Sequence, residues 1–162
     1  MERFLQLVKE ANRAFETADH LAYVTFPLVN DNKLIIGIAE NLFNALSLGM
    51  EAILYYDRIY KRIMHMPQDF QGKLELFKHN SIPRYNISRE IVSLLTELSE
   101  LINARNKSPI EFARQDKFVI CSKDYALKSL TIKKVKDGIN QSKPFMNKLN
   151  LIYNQNVRRF RI

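Results

Sequence analysis

Two long stretches near the start of the chain carry apolar residues at helical spacing and are joined only by a short polar turn, which limits how the rest can fold. In the first, Phe4, Val8, Ala11, Phe15, Ala18 and Ala22 follow steps of 3 and 4, with Glu2, Lys9, Arg13, Glu16 and His20 on the remaining positions. That is the pattern of an amphipathic helix. It is predicted from about Glu2 toward Pro27, because proline lacks a backbone donor and restricts the residue before it. Asn30, Asp31 and Asn32 then make a turn. The second stretch, from Asp31 or Asn32 to about Met64, is apolar around most of its circumference, as in a helix buried among neighbours. Two such helices with so short a connection must lie antiparallel.

The remaining segments repeat the theme. Pro67 interrupts the pattern, a shorter helix is predicted from about Asp69 to Lys78, and a turn follows from Asn80 to Tyr85. Ser88 is placed to cap the next helix, in which Ile91, Leu94, Leu95, Leu98, Leu101 and Ile102 share a face. Ser108, Pro109 and Glu111 read as another helix start. Between Lys117 and Leu130 the β-prone run Phe118-Val119-Ile120-Cys121 predicts a small hairpin or irregular excursion. Thr131 then caps a last helix to about Tyr153, kinked or restarted at Pro144, and residues 154–162 read as an unanchored basic tail. With only 4 glycines and 5 prolines in 162 residues, turn-dense all-β folds and glycine-rich nucleotide loops are disfavoured. The expectation is an all-α antiparallel helical bundle: one domain, residues 1–153, followed by the tail.

The single cysteine, Cys121, and the charged N-terminal segment suggest a cytoplasmic protein. The most apolar run, Leu34 to Tyr56, is broken by Glu40, Asn41, Asn44 and Glu51, which argues against a membrane span. Net charge is +8, and its distribution is lopsided. Residues 1–80 hold 9 Lys/Arg against 10 Asp/Glu, and residues 81–162 hold 16 against 7. A one-signed half attracts polyanions such as RNA, or an acidic protein surface.

Chemistry-bearing motifs are few. His20, His65 and His79 are far apart and no metal-ligand spacing exists, so no metal and no cofactor is expected; no P-loop or nucleophile elbow is present. On a continuous second helix, Glu40, Asn44, Ser47, Glu51, Tyr55, Arg58, Arg62 and His65 would form one polar stripe. This is either the solvated side of a buried helix or a site in which His65 moves protons while arginines stabilise phosphate charge. The small residues Ala45, Gly49 and Ala52 share another face, suited to close packing within the chain or to a homodimer contact.

The pairs Arg13-Ala-Phe-Glu-Thr-Ala-Asp-His20 and Arg58-Ile-Tyr-Lys-Arg-Ile-Met-His65, within two long N-terminal helices followed by shorter ones, resemble the HEPN superfamily of helical RNA-binding and ribonuclease domains. The resemblance implies an alternative function as a metal-independent ribonuclease, with Arg58, His65 and Glu51 as catalytic candidates. The leading expectation rests on the basic half: a non-catalytic RNA-binding protein, with RNA or a ribonucleoprotein as partner. Lys133, Lys134, Lys136, Lys143, Lys148, Arg158, Arg159 and Arg161 are its phosphate-contacting candidates, with Tyr125, Phe145, Tyr153 and Phe160 interleaved.

Overall fold

The computed structural model describes residues 1–107, 110–114, 117–121 and 127–160. The expected N-terminal hairpin is present. Helix α1, Glu2–His20, buries Phe4, Leu7, Val8, Ala11 and Ala18. Helix α3, Leu34–Ile59, is buried along much of its circumference, from Ile35 to Asp57. The first ending differs from expectation. The helical path passes through a π turn, Leu21–Thr25, into the short α2, Phe26–Val29, and stops only at Asn30, whose φ of 53° is left-handed. Pro27 does not end the helix, because the wider turn before it moves away the carbonyl with which its ring would clash.

The same solution recurs downstream. Helix α4, Phe70–Leu76, is capped by Asp69, whose side chain accepts from Gly72 N at 2.7 Å. A second π turn, Phe77–Ser81, leads into α5, Ile82–Tyr85, again with proline early in the segment and a left-handed asparagine, Asn86, at its end. The predicted turn over Asn80 to Tyr85 is therefore helical.

Helix α3 ends five residues earlier than the periodicity predicts. Lys61 adopts a left-handed φ of 54°, its N–H donates to Arg58 O at 3.0 Å, and Arg62 N–H donates to Asp57 O at 2.8 Å. These bonds form a Schellman motif that satisfies carbonyls at the helix end.

Helix α6, Glu90–Lys107, starts at the expected cap, with Glu90 N donating to Ser88 Oγ at 3.3 Å. Ser108 and Pro109 of the expected helix start lie outside the described residues, and Glu111 stands not in a helix but in strand β1, Ile110–Arg114. This strand pairs antiparallel with β2, Lys117–Cys121, which pairs antiparallel with β3, Leu127–Thr131. Three strands with one face on a core are stable where a lone hairpin is marginal; Phe118, Ile120 and Leu130 supply that face. The all-α bundle thus carries one small sheet in place of a hairpin.

Thr131 Oγ1 accepts from Lys134 N at 3.1 Å at the start of α7, Ile132–Phe160. Pro144 neither stops nor restarts α7: it is exposed, so the Asn140 carbonyl it leaves without a donor lies on the solvent side. The predicted tail is corrected as well. Residues 154–160 are the last turns of α7, held against the bundle at Asn156, which is 1% exposed and whose Oδ1 accepts from Tyr60 OH at 3.4 Å. Arg161 and the rest of the tail lie outside the described residues.

The buried apolar side chains of helices and sheet form one core. Gly49 marks its tightest crossing: a Cβ there would lie 2.8 Å from Phe145 Cε1. Ala45, Gly49 and Ala52 are all buried within the chain. Of the two alternatives for this face, close packing within the chain is the one seen, against Phe145 and Leu149 of α7. No helix among the described residues is long and apolar enough to cross a membrane.

Candidate functional site

The polar stripe predicted on α3 does not survive the early helix end. Arg58 lies exposed in the last turn of α3, and His65 lies exposed beyond the reversal at Lys61. The two do not share a continuous helix face. Glu51 is engaged elsewhere, 2.8 Å from Lys73 Nζ and 3.7 Å from Arg3 Nη2, and Glu40 pairs with Arg105 of α6. The second spaced pair, Arg13 and His20, sits on the exposed side of α1. Among the described residues, no cluster of His, Cys, Asp or Glu suits a metal ion.

The polar centre at this end of the bundle is instead Asp57, with no exposed surface. Tyr85 OH donates to its Oδ1 at 2.6 Å and Ser81 Oγ to its Oδ2 at 2.8 Å. Arg62 Nη1 lies 3.4 Å from Oδ1 and Arg84 Nη1 3.4 Å from Oδ2. A buried carboxylate is tolerated only when paired and hydrogen-bonded, and here every partner comes from the second helix ending or the Schellman turn. Tyr85 OH also accepts from Arg62 Nη1 at 2.8 Å. Burial, and then the hydrogen bond to Asp57 and its charge, push the Tyr85 phenol well above its ordinary value, against the opposing pull of Arg62. Tyr85 is therefore a fixed donor.

Arg62 stacks over two rings, its guanidinium carbon 5.6 Å from the centroid of Tyr56 and 5.1 Å from that of Tyr60. Between this corner and α7 opens a cavity of about 330 Å³ lined by Tyr56, Arg62, Tyr85, Lys148, Leu151, Ile152 and Gln155.

The cationic candidates on α7 divide between its two flanks. Lys136 Nζ lies 4.9 Å and Lys143 Nζ 6.0 Å from the ring centroid of Tyr23, in the first π turn. Asn140, between them on the same face, donates to Tyr23 OH at 3.2 Å. On the other flank Lys134 is paired with Glu97 at 3.7 Å and borders an acidic groove with Glu90 and Asp137, while Lys148 faces the Arg62 cavity. Lys133, Arg158 and Arg159 are exposed along the helix. Of the interleaved aromatics, Phe145 is core at 2% exposure and Tyr153 is half-buried. Tyr125 and the side chain of Phe160 lie outside what is described.

Sequence reading missed Asp57, Tyr85, Ser81, Arg84 and Tyr23. Asp57 did carry a signal: it follows Met50, Ile53 and Leu54 at core spacing, and a charge in core phase needs partners. Tyr23 carried none, because its lysines are more than a hundred residues away. Compared with protein-family models, curated proteins and solved structures, the chain shows no match.

Proposed function

We propose that this is a non-catalytic RNA-binding protein that holds single-stranded RNA along the outer face of α7. The observation that supports this reading best is Tyr23, 41% exposed and flanked by Lys136 and Lys143. The two lysines stand seven residues, about 10 Å, apart on one helix face. A base can stack on the ring while the ammonium groups exchange the ring for neighbouring phosphates. Lys133 extends the row of charge toward the start of the helix, and Arg158 toward its end. Lys134 contributes little, being neutralised by Glu97.

The test is fluorescence anisotropy with a labelled, hydroxyl-ended oligouridylate at several salt concentrations. Affinity should fall with salt, at about 0.7 log units per log unit of salt for each phosphate neutralised. Replacing both Lys136 and Lys143 by Ala should flatten that slope. Tyr23→Ala should weaken binding about tenfold, and Lys134→Ala should leave it unchanged. Undiminished binding by the Lys136, Lys143 double variant would overturn the reading.

A further inference from the structure

The corner between α3 and α7 carries more positive charge than its internal ion pairs consume. Asp57 supplies one negative charge, against Arg62, Arg84 and Lys148. Lys148 is half-buried and makes no hydrogen bond or ion pair among the described residues. Arg62 makes its hydrogen bonds through Nη1 alone, so Nη2 and Nε keep their donors. Its guanidinium is also fixed in place, by Tyr85 and Asp57 on one side and by the rings of Tyr56 and Tyr60. A fixed fork and an unpaired ammonium lining one cavity are suited to an anion with several acceptor oxygens.

The charge surplus is two, which matches a phosphomonoester dianion better than a carboxylate or a phosphodiester, each carrying one charge. The volume, about 330 Å³, falls at the lower end of sites that hold whole small molecules, so there is room for the group esterified to the phosphate. Tyr56, Leu151 and Ile152 offer that group an aromatic and apolar wall, and Gln155 an amide. We infer that this cavity binds a phosphomonoester, with Arg62 and Lys148 gripping the phosphate and the Tyr56 side receiving the remainder. The ester is either a free nucleoside monophosphate or the phosphorylated end of an RNA chain. In the second case the site adds end recognition to the surface proposed above, and rests on that reading.

Titration calorimetry with adenosine 5′-monophosphate, adenosine, and a short oligouridylate bearing either a 5′-phosphate or a 5′-hydroxyl tests this on the full chain. Adenosine monophosphate should bind where adenosine does not, with amide shifts at Arg62 and Gln155 in NMR spectra. Lys148→Ala, which removes no hydrogen bond or ion pair among the described residues, should weaken the phosphorylated probes about tenfold. Tighter binding of the 5′-phosphorylated than of the 5′-hydroxyl oligonucleotide would assign the site to RNA ends; mononucleotide binding with no such difference between the oligonucleotides would assign it to a free ester. Absence of binding by the mononucleotide, together with indifference to the 5′-phosphate, would overturn the inference. Unchanged affinity in Lys148→Ala would do the same. Binding of the hydroxyl-ended oligonucleotide is read separately, so failure of this cavity and failure of the Tyr23 surface give different results.

Discussion

Residues 21–30 and 77–86 are the same helix ending built twice. Each is a five-residue π turn, a four-residue helical segment with proline second, and a left-handed asparagine: Leu21 to Asn30 in one, Phe77 to Asn86 in the other. The backbone is set by Pro and Asn at matched positions, and the side chains between them set its use. The first ending places Leu28 and Val29 outward, 82% and 59% exposed. The second has Arg84 and Tyr85 at the equivalent positions, and both reach Asp57. One scaffold therefore yields an open apolar tip beside Tyr23 in the first case and a polar lock in the second.

Substitutions at the two endings should separate them sharply. Asp57→Ala removes the acceptor shared by Ser81, Tyr85, Arg62 and Arg84 and should cost about 3 kcal/mol in urea unfolding. A cost near zero would mean that the lock contributes nothing. Tyr85→Phe, which removes one hydrogen bond, should cost about 1 kcal/mol. The phenol's affinity for its proton is raised on folding, so its contribution is complete below its unfolded value of about 10 and drains away as pH rises beyond it. Wild-type stability should therefore fall more steeply than that of Tyr85→Phe between pH about 10 and about 12, as read from unfolding midpoints. At the first ending, Leu28→Arg should stay within about 0.5 kcal/mol of wild type. A larger loss in thermal unfolding would show that this tip is packed after all.

The bundle is readable in the sequence because apolar spacing is local: α1 and α6 follow from the placement of Phe4 and Leu95 and their neighbours, and α3 from the apolar run Leu34 to Tyr56. The endings were less readable. Pro27 and Pro83 signal a stop, yet a π turn, which has no strong sequence signature, absorbs both. At 110–114 a capping pattern competed with strand pairing, and the partner strands decided the outcome. The Asp57 network joins three segments through side chains up to 28 residues apart. Neither a helical stripe nor a spaced Arg-His pair could reveal it, because both assume a helix that continues past Ile59.

Asn12 of α1 and Asn150 of α7 exchange amide hydrogen bonds of 2.7 and 3.0 Å across 138 residues of sequence. During synthesis the first helix emerges long before its distant neighbour. The amino-terminal hairpin must therefore wait, with one flank uncovered, until the final helix clears the ribosome. For this chain, assembly of the native core is tied to the synthesis of α7, far along the sequence from its partner.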